Sequence, residues 1–321
     1  MTITALPDVS AIDVSRLHRV LEQRPGAGPL YMRAGLYLDK GDVAAAVPLV
    51  REARRLDPTD GHLDLLFQRL GGPATDDYIL GRTQALMDRG CSFSSLIARH
   101  LKSAGRLGMV SEVQRFWDFE RFLYRTQFNP PESEENARLA AALAQGMKFY
   151  ETPPLPRSIR HGHRRDGLKP GMGDPVLDPV LARLEALITD WIASLPVEED
   201  HPFLAARPSR FRLRGWSVVS GPETYHEMHI HPQSWSHLVL YADVPEKVWT
   251  GQGHNGCLRI GPPPEWGLDE RHGFSECWLR PEPGRLVLMP SYLFHGTLPH
   301  GTTQRRSCLV MQIYPLDEER A

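Results

Sequence analysis

From about residue 211 onward, glycine and proline divide the sequence into short segments rich in β-branched and aromatic residues, and this pattern constrains the fold more than any other feature. Short strands at such spacing are typical of a sandwich or a double-sheet jelly roll, which closes around a cavity lined by side chains from several strands. The pattern predicts strands at 211–220, 224–231, 237–243, 256–260, 276–280, 285–289, 296–299 and 306–314.

The N-terminal half has helical periodicity instead. The clearest signal is at residues 30–58, where Ala46 and Ala53 would let two antiparallel helices approach closely, Gly41 would make the turn and Pro58 would end the second helix. This segment resembles one tetratricopeptide repeat, although any helical hairpin uses small residues and a glycine turn. Further apolar stripes predict a solenoid of about three hairpins. The other predicted helices lie at 13–24, 63–70, 78–87, 92–104 and 110–124.

The two halves are joined by a segment of mixed character. A helix is predicted at 133–147 and another at 176–195, with a basic, glycine-rich run at 157–173 between them. Such a run is normally a solvated loop; the alternative is a flap or an anion-contacting loop over a site. The predicted fold class is α+β, in three parts: a helical, tetratricopeptide-like domain at 1–130, connecting helices and the basic loop at 131–200, and a double-stranded β-helix (jelly-roll) domain at 201–321.

Composition excludes several classes of function. A formal charge of −2 over 321 residues gives no global field to attract nucleic acid or an anionic membrane. The four cysteines form no CxxC pair, so neither a zinc knuckle nor a disulfide framework is indicated. The sequence shows no apolar run that approaches a membrane span and no apolar leader, which predicts a reduced, cytoplasmic protein.

Three histidines are candidate metal ligands. His229 and His231 are two residues apart, and on a strand their side chains would project from one face. A third imidazole is available from His295, which follows an apolar strand ending at a proline. This arrangement predicts a mononuclear non-haem metal site.

These residues belong to a longer series of motifs. The series, in order, is Trp216-Ser217-Val218-Val219, His229-Ile230-His231-Pro232, Val239-Leu240-Tyr241, Gly256-Cys257-Leu258, Gly284-Arg285-Leu286-Val287-Leu288-Met289-Pro290-Ser291, His295 and Arg306. It resembles the 2-oxoglutarate- and Fe(II)-dependent oxygenases, in particular a bacterial branch with HxHP in the first ligand strand and often a tetratricopeptide segment ahead of the oxygenase domain. The resemblance covers about residues 200–316 well and the helical part loosely.

The resemblance implies roles for individual residues. His229 and His295 would be iron ligands, and His231 occupies the position where most of the superfamily has a carboxylate. Glu227 is a rival carboxylate on the same strand face, but it would lie about 13 Å from His231, so the two cannot bind one metal.

The family likewise implies a site for 2-oxoglutarate. Arg306 would pair with its distal carboxylate, with Arg305 as the competitor because one step along a strand reverses the face. Tyr241 could donate its hydroxyl to the same carboxylate. Two departures from the family pattern affect this pocket: Cys308 stands where the family usually has serine, and His237-Leu238 replaces a Ser-Gly pair.

The activity implied is oxidation with Fe(II), 2-oxoglutarate and O₂, with hydroxylation as the default outcome. The expected substrate is a protein or peptide side chain or a small metabolite, and the helical domain could bind a protein partner. Two alternatives stay open. One is a three-histidine metal dioxygenase that does not use 2-oxoglutarate, and the other is a non-catalytic tetratricopeptide binding scaffold.

Overall fold

The computed structural model describes Glu22 and residues 27–39, 42–56, 75–150, 158–232 and 234–316. The chain divides into two units, Met1–Cys91 and Ser92–Ala321. The helix predicted at 13–24 and the apolar stripe at 63–70 lie outside the described residues.

The first unit contains a helical hairpin. Its described helices are α1 (Ala27–Asp39), α2 (Val43–Leu56) and α3 (Asp76–Met87). Ala34, Ala46 and Val50 are fully buried in one cluster from α1 and α2, since small side chains let the two helices approach closely. The hairpin predicted at 30–58 is therefore present. Its assignment to a tetratricopeptide repeat stays a prediction.

The described part of the second unit contains seven α-helices. They are α4 (Ser94–Arg106), α5 (Val110–Phe116), α6 (Phe119–Phe122), α7 (Glu134–Leu143), α8 (Leu177–Ser194), α9 (Pro202–Ala205) and α10 (Glu246–Trp249). The prediction of one helix over 110–124 is wrong. Asp118 has an extended backbone and its side chain caps α6 by accepting from the N–H of Arg121 at 3.1 Å, so a second helix starts there. None of the described helices is long and apolar enough to span a membrane.

The sheet of the second unit has ten strands in the described part of the chain, and all its pairings are antiparallel. The main order is β1-β8-β5-β10-β4-β9-β6-β7, with β3 on β4 and β2 on β3. The strands are β1 (Tyr124–Gln127), β2 (Lys148–Tyr150), β3 (Ile159–Leu168), β4 (Phe211–His229), β5 (Ser236–Asp243), β6 (Leu258–Ile260), β7 (Cys277–Leu279), β8 (Arg285–Pro290), β9 (His295–Thr297) and β10 (Arg306–Pro315).

Strand β4 organises the sheet because it pairs with three others. Its first half pairs with β10 as far as Ser220, its centre pairs with β3, and its end pairs with β9 from His226. The sequence predicted two strands, 211–220 and 224–231, separated at Gly221-Pro222. Strand β4 instead continues through this dipeptide. At the predicted break, β4 changes its partner along one edge from β10 to β9.

The sequence predicted a solvated loop for the basic run at 157–173. In the structure this run contains strand β3. Gly162 allows β3 to lie close to β4, because a β-carbon there would be 2.7 Å from side-chain carbons of Ile159 and Thr224. The charges of β3 are compensated by acids: Arg164 pairs with Asp166 of the same strand at 2.7 Å, and Arg160 pairs with Glu227 of β4 at 2.5 Å. A charged strand is stable here because its neighbour supplies both backbone and ionic partners.

One face of this sheet encloses a cavity. Residues from β4, β5, β6, β9 and β10 line it together, which requires the sheet to curl around it. The architecture is thus a curled antiparallel sheet with helices, consistent with the jelly-roll expectation. Strands β1 to β3 join this sheet from segments that the sequence assigned to the helical and connecting parts.

Candidate metal centre

Two of the candidate metal ligands lie opposite each other on neighbouring strands. His229 is the last residue of β4, His295 is the first of β9, and the register pairs them directly. His231 lies beyond the end of β4, where its backbone N–H donates to the carbonyl of Ser291 at 3.0 Å. Its side chain therefore reaches the site from a loop, and the two-residue strand period does not explain its position.

The three histidines converge. Their ligand nitrogens all lie within 4.8 Å of one another, and Nε2 of His231 is 3.2 Å from Nε2 of His295. Metal–imidazole bonds of about 2.1 Å place neighbouring ligand nitrogens about 3.0–3.4 Å apart in octahedral or tetrahedral geometry. The closest pair of nitrogens in the cluster therefore fits the coordination of a single ion, and no carboxylate from the described residues joins the group.

Glu227, the rival carboxylate, points elsewhere. Its side chain is half-exposed and forms an ion pair with Arg160 of β3 at 2.5 Å. Its backbone carbonyl instead accepts a hydrogen bond from Nδ1 of His229 at 2.8 Å. Glu227 thus orients one histidine of the cluster through its main chain.

Burial keeps these imidazoles neutral. It lowers the pKa of His229 to about 4 and the pKa values of His231 and His295 well below the ordinary histidine value. Nδ1 of His229 donates to Glu227 and Nδ1 of His295 donates to the carbonyl of Leu293 at 3.1 Å, which leaves Nε2 of each ring with a lone pair. A neutral imidazole with such a lone pair is the form that binds a metal.

Two further histidines flank the cluster. The ring of His237 lies 4.1 Å from that of His231 and 4.5 Å from that of His295, and its buried Nε2 has no hydrogen-bond partner among the described residues. His226 lies on the other side, and the hydroxyl of Ser158 is 3.1 Å from both Nδ1 of His226 and Nε2 of His229. Sequence reasoning missed Ser158, which comes from a segment 71 residues away from His229.

A glutamine contacts the remaining nitrogen of His231. Nε2 of Gln312 is 2.5 Å from Nδ1 of His231, and the hydroxyl of Tyr314 donates to Oε1 of Gln312. Gln312 was also missed, although a signal for it exists: it is on β10 in phase with Arg306, so strand alternation places the two side chains on one face.

Arg306 lies on the wall of the same cavity. It is 2% exposed, and it donates from Nη1 to the carbonyl of Gly256 at 2.6 Å and from Nη2 to the hydroxyl of Ser220 at 3.4 Å. Its Nε has no partner, and no carboxylate among the described residues pairs with it. A buried guanidinium with only neutral partners is costly, and an anion in the cavity would compensate it. The competitor, Arg305, precedes β10 and is exposed.

Tyr241 and Cys308 are paired in register between β5 and β10 and lie on the same wall. Burial raises the pKa of the Tyr241 hydroxyl and raises that of the Cys308 thiol to about 11, so both groups are neutral. The cavity lining comprises Trp216, His226, His229, His231, Val239, Tyr241, Leu258, His295, Gly296, Thr297, Arg306, Cys308 and Val310. It joins the histidine cluster to the buried arginine in one space.

Residues 214–312 match the family model described as "Putative 2OG-Fe(II) oxygenase". The match spans under a third of the chain and includes the three histidines, Arg306 and Gln312. No curated protein matches the sequence.

Several solved structures are similar to the chain. One is a prolyl-4-hydroxylase from Pseudomonas putida, with a TM-score of 0.43, 19% identity, and coverage of 66% of this chain and 100% of that chain. A second is a prolyl hydroxylase from Trichoplax adhaerens in complex with a hypoxia inducible factor peptide fragment, with a TM-score of 0.41, 13% identity, and coverage of 67% and 91%. A third is an oxidoreductase of the 2OG-Fe(II) oxygenase family from Burkholderia pseudomallei, with a TM-score of 0.39, 12% identity, and coverage of 67% and 90%. These TM-scores are low.

Proposed function

We propose that this chain, a 2-oxoglutarate- and Fe(II)-dependent oxygenase by its match over residues 214–312, hydroxylates a side chain of a protein or peptide, or a small metabolite. Its cofactors are Fe(II) and 2-oxoglutarate, with O₂ as the oxidant. The observation that carries the proposal is one cavity with three convergent imidazoles at one place on its wall and, at another, a buried guanidinium that has no acid partner among the described residues.

In this proposal His229, His231 and His295 hold the iron. Three neutral ligands leave further coordination positions for 2-oxoglutarate and O₂. Bound iron supplies activation of O₂ coupled to the oxidation of 2-oxoglutarate to succinate and CO₂. The protein supplies the orientation of the reactants and the exclusion of water.

Arg306 binds the distal carboxylate of 2-oxoglutarate. A guanidinium keeps its charge at any working pH and donates two parallel hydrogen bonds to a carboxylate. The neutral hydroxyl of Tyr241 can donate to the same carboxylate from the neighbouring strand. Because Arg305 is exposed, only one of the two adjacent arginines is suited to this role.

The helical hairpin of α1 and α2 supports a peptide or protein as substrate or partner. Hairpins of this kind stack into solenoids whose concave faces bind extended peptides. A tetratricopeptide-like array at the N-terminus would supply such a face, and a freely diffusing metabolite is the alternative substrate. Incubating the iron-loaded protein with 2-oxoglutarate, O₂ and pools of peptides or metabolites would separate the two, because the true substrate gains one oxygen atom, which mass spectrometry detects.

Anaerobic titration tests the cofactor assignment. Adding Fe(II) and then 2-oxoglutarate should produce the weak visible charge-transfer band of the chelated co-substrate, and admitting O₂ should form succinate. His295→Ala should lose both signals. His254→Ala is the matched control, because His254 is exposed and lies outside the cluster. If iron binds and neither band nor succinate forms, the proposal fails and the three-histidine dioxygenase that does not use 2-oxoglutarate becomes the better assignment.

A further inference from the structure

Two neutral groups orient the side chain of Arg306, and they come from two other parts of the sheet unit. Nη1 donates to the carbonyl of Gly256 at 2.6 Å, and Nη2 donates to the hydroxyl of Ser220 at 3.4 Å. Ser220 lies opposite Arg306 in the register of β4 and β10, whereas Gly256 lies between α10 and β6. A strand fixes only the direction in which a side chain leaves the backbone, so the position of a long side chain depends on partners of this kind.

One buried histidine contacts both of these partners. His300 lies in the loop 298–305 between β9 and β10, and Nε2 of its ring is 3.3 Å from the carbonyl of Ser220. A carbonyl can only accept, so Nε2 donates. The backbone N–H of Thr302 donates to Nδ1 of His300 at 3.3 Å, which requires the same tautomer. Burial lowers the pKa of His300, so the ring is neutral at pH 7 and holds Ser220 by a directed hydrogen bond.

Gly256 packs directly against His300. Its φ of +73° lies in the left-handed region that favours glycine, and a β-carbon there would be 3.0 Å from Cβ of His300 and 2.7 Å from Cγ1 of Val248. Its N–H donates to the carbonyl of Pro299, the neighbour of His300, at 3.2 Å. The position of the Gly256 carbonyl, which accepts from Arg306, therefore depends on the position of His300.

We propose that His300 is a positioning residue for Arg306: it holds Ser220 through a hydrogen bond and Gly256 through packing, and these two groups hold the guanidinium on the cavity wall. The inference rests on the proposed function, in which Arg306 binds the distal carboxylate of 2-oxoglutarate. His300 does not belong to the cavity lining, so it acts on the co-substrate only through Arg306.

Orienting the guanidinium in advance should increase affinity for a dicarboxylic acid. An arginine side chain loses much rotamer freedom when it is fixed, and a site that has already fixed it does not lose that free energy again when the ligand binds. Without its two acceptors, Arg306 would still attract the carboxylate but would have to be ordered by it. We therefore expect replacement of His300 to weaken binding of the distal carboxylate and to leave binding at the metal unchanged.

Two probe ligands separate this role from a general loss of structure. Both 2-oxoglutarate and oxalate can bind a metal through neighbouring oxygens, but only 2-oxoglutarate carries a distal carboxylate. Calorimetric titration of the Zn(II)-loaded protein measures both affinities without turnover, because Zn(II) has no redox chemistry. His300→Phe keeps a ring and removes the donor, so it should raise the Kd for 2-oxoglutarate about 10- to 100-fold and leave the Kd for oxalate unchanged. His300→Gln, whose amide N–H can still donate to Ser220, should restore most of the affinity.

A pair of glycine variants tests the packing contact. Gly256→Ala introduces a β-carbon against His300 and should weaken 2-oxoglutarate binding by about tenfold or more, with oxalate binding again unchanged. Gly253→Ala is the matched control, because Gly253 lies in the same segment and also has a left-handed φ, +75°, but has open space where its β-carbon would be. Both variants carry the same kind of backbone strain, and only Gly256→Ala should lose affinity.

The outcomes distinguish this inference from the proposed function. An equal loss of affinity for 2-oxoglutarate and oxalate in His300→Phe would show a general structural role and would overturn the inference. Unchanged 2-oxoglutarate binding in His300→Phe would also overturn it, provided that Arg306→Met weakens that binding. If Arg306→Met has no effect on 2-oxoglutarate binding, the proposed role of Arg306 is wrong and the inference falls with it. If His300→Phe does not fold, the comparison of Gly256→Ala with Gly253→Ala decides the question.

Discussion

Replacing Arg306 with methionine should have opposite effects on stability and on co-substrate binding. Methionine is apolar and similar in length, so it can fill the space of a side chain that is 2% exposed. The substitution removes a buried charge that has no carboxylate partner among the described residues. It also removes the group that we expect to bind the distal carboxylate of 2-oxoglutarate.

The magnitudes follow from the contacts of Arg306. Exchanging a buried ion pair for apolar residues often stabilises by about 1–4 kcal/mol, and we take the same range for this unpaired charge. Leaving the carbonyl of Gly256 without its donor offsets about 1–3 kcal/mol of this, whereas the hydroxyl of Ser220, at 3.4 Å, loses only a weak partner. A net gain of about 1 kcal/mol corresponds to a rise in Tm of about 2–4 °C for a unit of this size. Loss of a buried charged partner should weaken 2-oxoglutarate binding by about 2–5 kcal/mol, or about 30- to 5000-fold.

A thermal-shift assay measures both effects. In the unmodified, metal-loaded protein, 2-oxoglutarate at about 100 times its Kd should stabilise by about 2.7 kcal/mol. Arg306→Met should start from a higher Tm, and the same concentration of 2-oxoglutarate should stabilise it by no more than about 0.9 kcal/mol, the value for a 30-fold weaker Kd. Arg305→Met, the exposed neighbour, should match the unmodified protein in both respects. A variant at position 306 that is less stable and still responds fully to 2-oxoglutarate would refute the reasoning.

Three further outcomes are expected. The metal-free protein should lose stability as pH falls from about 6.5 to about 4, because folding depresses the pKa of His229 to about 4 and only the unfolded state takes up a proton in that window. The loss from this group is at most about 3 kcal/mol, of which urea unfolding at pH 5 and 7.5 should show about 2 kcal/mol. Gly162→Ala should destabilise the protein by about 1–3 kcal/mol, because its β-carbon would lie 2.7 Å from each of two side-chain carbons, and an unchanged urea midpoint would contradict the close approach of β3 to β4. His231→Ala should weaken Zn(II) binding in calorimetry by at least tenfold, whereas Glu227→Ala should change it little because that carboxylate pairs with Arg160; the reverse order would make Glu227 the ligand.

The sheet was predictable where its signals are local. The segments from 237 to 314 carry apolar alternation interrupted by glycine and proline, and strands form close to each predicted position. Strand β1 has the polar sequence Tyr124-Arg125-Thr126-Gln127, and it forms because β8 offers a pairing edge far along the chain. Strand β3 was missed for the same reason. Its composition is that of a solvated loop, and its partner determines its conformation.

The residues of the site likewise fall into those that the sequence could predict and those that it could not. Motif spacing selected His229 and His295, and the family resemblance selected Arg306; the structure places all three on the wall of one cavity. Spacing could not select Ser158 or Gln312, because each contacts a cluster histidine across 71 or 81 residues of sequence. Nor could it show that Glu227 pairs with an arginine of β3, since that run was expected to be a loop.

The positive charges of a bound metal and of Arg306 should couple the binding of the metal to the binding of 2-oxoglutarate. Three neutral imidazoles would leave a bound Fe(II) with both of its positive charges, and Arg306 adds a third positive charge elsewhere on the wall. No acid from the described residues lines the cavity to balance them. Charges about 4 Å apart interact by about 4 kcal/mol at an effective dielectric constant of about 20, so the dianion 2-oxoglutarate and the metal should each bind more tightly in the presence of the other. A carboxylate in place of His231 would weaken this coupling, because its negative charge would hold the metal even when 2-oxoglutarate is absent.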